Sequence, residues 1–315
     1  MRRRFALVLA ALLAAALAAC GGHGSPGRPE TSTVTVGVPP VVDAAPLYLA
    51  ERRGYFRQEG LTVRFQQFQD GEAIIPAMVA GSVQVSFSTY VSLFLAKSGG
   101  VDLTVIADGD SATPGFGGVY AMPGSPVRGP ADLAGRKVAV DTLNDVADLS
   151  VTAVLRAAGV AASQLHLVQV PLPEMAATLQ RGQVDAAWLV EPYASAVRGA
   201  LHARRVVDPF SGPTDGLPVG GYAVDRRFAD QYPRTVAAFV RALRKGVADA
   251  ADPSKVAAAL PGSARVTAGA AGRLTLPRYA AVPDPARLQR VADLMRQQGK
   301  LTRELEVASF TRAGG

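Results

Sequence analysis

Met78-Val79-Ala80-Gly81-Ser82-Val83-Gln84-Val85-Ser86-Phe87 returns, at a constant offset of 101, as Leu179-Gln180-Arg181-Gly182-Gln183-Val184-Asp185-Ala186-Ala187-Trp188. Both copies read as the end of a helix, a glycine that caps it, and a buried strand. The repeat predicts two similar halves. On this alignment Phe87 matches Trp188 and Tyr90 matches Glu191, so facing halves would bring these strand ends together across a cleft. Outward from the first copy, β-rich runs at 34–38, 61–65, 83–87 and 103–107 alternate with helical patterns at 44–53, 72–80 and 89–98. Around the second copy, strands are expected at 137–140, 165–170, 184–190 and 205–207, and helices at 146–158, 174–180 and 192–198. The tail turns helical over 226–251 and 285–298. Such alternation marks an α/β protein with largely parallel sheets.

The chain has 315 residues, 49% of them hydrophobic, enough to build two lobes and too apolar for a disordered protein. Its net charge of +7 includes Arg2, Arg3 and Arg4, which precede an uncharged run over 5–19 that ends at Cys20. That is the pattern of a secretory signal peptide, expected at residues 1–19. As a helix the run would span roughly 22 Å, short of the roughly 30 Å hydrocarbon core, so a permanent span is the weaker reading. Leu17-Ala18-Ala19-Cys20 resembles the bacterial lipobox, which implies an acylated Cys20 as mature N-terminus and a membrane anchor. Without the leader the charge falls by three, and nucleic-acid binding gains no support from it.

Cys20 is the only cysteine, so a folded part beyond it has no disulfide, thiolate metal site or cysteine nucleophile. His23, His166 and His202 have no partners at metal-ligand spacing, and neither metal nor cofactor is expected. Residues 20–33 read as the lipidated end and a flexible Gly/Pro/Ser tether.

Val36-Gly37-Val38, Ala45-Pro46-Leu47-Tyr48-Leu49-Ala50, Gly54-Tyr55-Phe56, Glu59-Gly60-Leu61 and the stretch 77–81 together resemble the opening of ABC-importer solute-binding proteins of the nitrate/sulfonate/taurine type, a group that includes thiamine-pyrimidine-precursor binders. Residues 132–140, Gly182-Gln183-Val184-Asp185-Ala186 leading to Glu191-Pro192-Tyr193, and 233–242 agree with it, and the resemblance covers roughly 34–310. One position departs: Gln84 stands where the family pattern has Asp, which Asp185 keeps in the second half. The resemblance implies a two-lobed periplasmic-binding-protein type II fold with a hinge of two crossing segments. These are expected near 122–127 and 215–221, where glycine and proline are dense. Lobe 1 would then be 34–122 plus 219–315, and lobe 2 would be 123–218. It also implies a monomer whose partners are a small solute and a permease with its ATPase. A pyrimidine synthase of the same fold uses a cysteine-rich motif absent here; a ligand-sensing lipoprotein is a further alternative.

In such folds the ligand sits beyond the carboxyl ends of the strands. Candidate ligand contacts there are Asp43, Tyr48, Ser88, Thr89, Tyr90, Asn144, Asp145, Trp188 and Glu191. Each has a plainer reading: helix capping for Asp43, Ser88, Thr89, Asn144 and Asp145, and packing for Tyr48 and Trp188. Windows 36–48, 66–76, 84–92, 108–119, 141–148 and 188–197 hold no Lys or Arg, although the chain has 33. They do hold acids, among them Asp43, Asp70, Glu72, Asp108, Asp110 and Glu191. Helix N-termini could hold a sulfonate or nitrate without a base, but carboxylates would oppose it. The expected ligand is therefore a neutral or cationic nitrogen heterocycle, pyrimidine-like, stacked on Trp188 or Tyr90 with its N–H groups donated to Glu191 or Asp43, and the alternative is a sulfonate, taurine or nitrate.

Overall fold

The computed structural model describes residues 27–69, 71, 73–260 and 271–312. The leader, Cys20, His23, Asp70 and Glu72 lie outside these.

The first half opens with β1 (Thr33–Val38), α1 (Ala45–Arg52), β2 (Thr62–Gln67), α2 (Ile74–Val79), β3 (Val85–Thr89), α3 (Tyr90–Ser98) and β4 (Leu103–Ser111). The chain then crosses to β5 (Gly117–Ala121), β6 (Lys137–Val140), α4 (Val146–Ala157), β7 (His166–Gln169), α5 (Leu172–Gln180), β8 (Ala186–Val190), α6 (Tyr193–Leu201) and β9 (Arg204–Val207). It returns through β10 (Pro218–Asp225), α7 (Pro233–Ala250), β11 (Arg278–Tyr279) and α8 (Pro285–Gln297).

Two sheets result, ordered β11-β4-β10-β3-β1-β2 and β7-β6-β8-β5-β9. Apart from β11 they share one topology. In each, the first strand pairs in parallel with the second and third, and a strand arriving from the other half enters antiparallel beside the third. The echo is structural down to its register. Val36 faces Val85 in one sheet and Val138 faces Ala186 in the other. Gly81 and Gly182 both end their helices with positive φ, at 77° and 67°, a conformation that only glycine adopts without cost. The core is built from the strand interiors, with β3, β4, β5 and β8 buried almost throughout.

The first crossing is not at 122–127. β5 hydrogen-bonds to β8 and β9, so the chain leaves the first sheet through 112–116, upstream of the expected division at 122. The return runs through 208–217, and most of 215–221 is the start of β10. Glycine density misleads here because these glycines permit close approach. A Cβ on Gly221 would lie 2.5 Å from the Tyr90 hydroxyl, and one on Gly118 2.7 Å from the Tyr120 ring.

The end of the expected tether is held rather than free. Glu30 accepts from the backbone N–H of Arg234 (3.0 Å) and of Thr235 (2.7 Å), capping α7, whose own N-cap Tyr232 provides no side-chain bond. Burial pushes the Glu30 carboxyl upward, but these bonds and the Thr235 hydroxyl pull further, leaving it at about 2.

Candidate functional site

The carboxyl ends of the strands meet between the sheets and enclose a narrow cavity of about 60 Å³. That is well below the roughly 300–1,000 Å³ of pockets for drug-sized ligands, and it suits a small solute. From the first half come Pro39, Val41 and Asp43 after β1, Gln69 and Gly71, the end of β3 (Phe87, Ser88, Thr89), and Val219 and Gly220 on β10. The second half supplies Asp141, Asp145 and Val146 between β6 and α4, Leu172 at the start of α5, and Trp188 and Val190 on β8. Among the described residues, no Lys, Arg or His lines the cavity.

Of the sequence candidates, Asp43, Ser88, Thr89, Asp145 and Trp188 stand on this wall. Their roles differ. The Ser88 hydroxyl donates to Gly71 O (2.9 Å) and lies 2.6 Å from Ser86 Oγ. Thr89 caps α3 by accepting from Ser92 N–H (3.1 Å), and Asp145 caps α4 by accepting from Val146 N–H (2.7 Å). Both caps also bridge the halves: the Asp145 carboxylate accepts from the Thr89 hydroxyl and, at 2.9 Å, from the Ser92 hydroxyl. Further out, Lys300 reaches Asp148 (2.6 Å) and Gln298 reaches Leu149 O (2.9 Å) across the same seam.

Two buried groups on the wall remain open among the described residues. Asp43 Oδ2 and Trp188 Nε1 have no hydrogen-bond partner. Trp188 is buried and steadied by Phe210, whose ring crosses its own edge-on at 6.3 Å. Burial raises the Asp43 carboxyl from 3.8 to about 7, against the opposing pull of its own N–H and of Asp110.

The other candidates are elsewhere. Glu191 is fully buried, but its carboxylate accepts from Ser195 N–H (3.0 Å), Ser195 Oγ (2.8 Å) and Arg198 (3.0 Å), and it is not on the cavity wall. It organises the first turns of α6. The Tyr90 hydroxyl donates to Asp108 (2.6 Å) inside the first half. Tyr48 packs edge-on against Phe65 at 5.3 Å and accepts from Gln67 (3.4 Å). Asn144 turns the chain with φ 59° and lines a separate groove beside the Asp145 bridge. Sequence reasoning did not single out Asp110, which stands directly behind Asp43; the absence of bases around it was the available signal.

The profile of the family described as NMT1/THI5 like matches residues 42–256. The taurine-binding periplasmic protein of Escherichia coli (strain K12) is 27% identical over 217 residues, covering 67% of this chain and 65% of that protein, so the match spans just under two thirds of the relative. Among solved structures, the alkanesulfonate-binding protein SsuA of Xanthomonas axonopodis pv. citri, bound to MOPS, superposes with a TM-score of 0.77 at 21% identity, covering 90% of this chain and 99% of that one. The periplasmic nitrate-binding protein NrtA of Synechocystis PCC 6803 gives 0.75 at 16% identity, covering 91% and 87%. At these identities the two structures establish the fold: a two-lobed periplasmic-binding-protein architecture.

Proposed function

Because the chain belongs to the NMT1/THI5-like family, we propose that it is a solute-binding protein that closes two lobes on a small molecule and delivers it to an ABC importer, and that the molecule is an aminosulfonate of the taurine class. The lobes divide at 112–116 and 208–217. No bond is made or broken; closure is favoured by the difference between the solute's affinities for closed and open forms. Cys20 anchors the protein outside the cytoplasm through its acyl chains, and Cys20→Ser should release it from membranes.

One observation carries the choice of solute: among the described residues the cavity wall has no base, and its open polar groups are a carboxyl oxygen and an indole N–H. An ammonium suits Asp43. A sulfonate oxygen can accept from Trp188 Nε1 and from first-turn N–H groups of α3 other than that of Ser92, which Thr89 takes. A plain sulfonate or nitrate would satisfy the donors while facing Asp43, Asp141 and Asp145 without compensation. The named relatives, which bind taurine, alkanesulfonates and nitrate, favour sulfur or nitrogen oxyacids over the pyrimidine expected from the sequence. An aminopyrimidine remains the second reading, favoured by the aromatic walls Phe87 and Trp188.

A thermal-shift series decides between them. Taurine should raise the melting temperature more than ethanesulfonate, which lacks only the amine, and more than nitrate. Stabilisation by an aminopyrimidine with none by taurine would replace the first reading with the second.

A further inference from the structure

Asp43 has a second carboxyl behind it. Asp110 on β4 is wholly buried, and among the described residues no side-chain donor reaches either of its oxygens; the donor facing it is the backbone N–H of Gly220. Its neighbours in the sheet are Gly220 of β10 on one side and Tyr279 of β11 on the other. Its Oδ1 lies 3.3 Å from the place a Cβ on Gly220 would take, and its carboxyl is in side-chain contact with that of Asp43.

Among the described residues, no Lys, Arg or His side chain pairs with either carboxyl. From β4 comes Asp108, which takes the Tyr90 hydroxyl of α3 at 2.6 Å. From α8 comes Arg287, which bonds to Ser111 and approaches Asp108 at 3.8 Å; Asp284, before α8, adds a negative charge near Asp108. Tyr48 of α1, Tyr222 of β10 and Tyr279 add phenols, the last donating its hydroxyl to Val42 O (2.9 Å), and the carboxyls of Asp141 and Asp145 share the cavity wall with Asp43. Two touching carboxylates have no donor to offer one another. A single proton removes one buried charge and supplies the missing donor.

We propose that Asp110 is a positioning residue that keeps its carboxyl proton and donates it to Asp43, so that the pair presents a single carboxylate to the cavity and favours solutes carrying a cationic nitrogen there. Burial, together with the negative charges of Asp43 and Asp108, pushes the Asp110 carboxyl well above its ordinary range, in the same direction as the geometry. The choice of solute rests on the preceding reading; the proton belongs to the empty protein.

A consequence follows for capture. Below about pH 7 Asp43 also holds a proton. Binding an ammonium then ionises Asp43: the solute keeps its own N–H protons, the Asp43 proton passes to water, and Asp110 keeps its own. Affinity for the cation should rise as pH climbs toward 7 and level off above it, because the proton and the solute compete for one oxygen pair.

The test has two arms. In the solute-free protein, infrared difference spectra should show a buried protonated-carboxyl C=O stretch at about pH 8 that is missing in Asp110→Asn; no such band in the unsubstituted protein overturns the proposal whatever the solute. In the second arm, taurine is titrated calorimetrically in buffers of different protonation enthalpy. Proton release should approach one per taurine at about pH 5.5 and fall toward zero at about pH 8. Asp110→Asn, whose amide still donates to Asp43, should hold the taurine Kd within about threefold, and Asp110→Leu should weaken it about tenfold or more. A folded Asp110→Asn that loses taurine more than about tenfold would mean that Asp110 contributes a charge, and the proposal fails. The infrared band without taurine binding at any pH would uphold the buried proton and sink the solute assignment instead.

Discussion

Gln84 and Asp185 hold the same place in the two halves and meet the same need with different charge. Gln84 N–H donates to Thr35 O (2.9 Å) while its Oε1 accepts from Thr35 N–H (2.9 Å). Asp185 N–H donates to Lys137 O (2.9 Å) while its Oδ2 accepts from Lys137 N–H (2.9 Å). The requirement is an acceptor for a backbone N–H of the neighbouring strand, Thr35 in β1 and Lys137 in β6, and an amide serves as well as a carboxylate. Gln84, where the sequence departs from the pattern expected of the family, thus sits within a backbone clamp away from the cavity wall. At the other end of the same two strands the halves part company. β3 ends in Phe87-Ser88-Thr89, and β8 ends in Trp188-Leu189-Val190. What repeats is the satisfaction of the backbone; what differs is the chemistry offered to a solute, with Asp43 from one half and the indole from the other.

That asymmetry can be broken most strongly at Asp43. Asp43→Asn should cost taurine affinity on the order of 100-fold, measured by calorimetry, while the empty protein melts no lower than before, since an ionisable buried carboxyl has been removed. Undiminished binding would mean that the first half does not select the cation. Next in size is the seam: Asp145→Ala removes the acceptor of Thr89 and Ser92 and the cap of α4. It should weaken solute binding about tenfold and enlarge the radius of gyration of the solute-free protein in solution scattering. An unchanged radius with unchanged affinity would deny the bridge any part in closure.

The pH dependence of stability sets two perturbed carboxyls of the first half, Glu30 and Asp43, against each other. Glu30, lowered from 4.5 to about 2, stabilises the fold above pH 4.5, and that contribution is lost as pH falls toward 2. Asp43, raised from 3.8 to about 7, acts with the opposite sign: its cost to the fold grows as pH rises from about 4 to 7. Denaturant titrations should therefore show Glu30→Gln flattening the acid limb, and Asp43→Asn gaining on the unsubstituted protein at pH 8 relative to pH 5. The smallest effects belong to the clamp. Gln84→Asp and Asp185→Gln should each stay within about 0.5 kcal/mol, and Gln84→Ala and Asp185→Ala should cost a similar amount, about 0.5–1.5 kcal/mol. A large difference between the two alanine variants would end the equivalence of the halves.

The repeat was legible because helix end, αL glycine and buried strand are local features at fixed spacing. β5 and β10 were not, because Gly117-Gly118 and Gly220-Gly221 carry the signal of a turn, whereas the aromatic neighbours that require small residues arrive from distant strands. Glu191 lies off the cavity wall, and a local signal marks this: Ser195 and Arg198, four and seven residues on in the following helix, donate to its carboxylate. Asp43 and Trp188 stand on the cavity wall, where a helix start and a strand end place them. The contact between Asp43 and Asp110 joins positions far apart in the chain, and no periodicity could have announced it.

Trp188 is the sole tryptophan and part of the cavity wall, so its fluorescence reports on the site without any label. Titrating taurine into the protein should change that emission saturably, with the same Kd as calorimetry, and Asp43→Asn should remove the response while leaving the solute-free spectrum in place. Taurine binding that is evident calorimetrically but leaves the indole emission unaltered would place the solute outside the gap between the two halves and contradict the account.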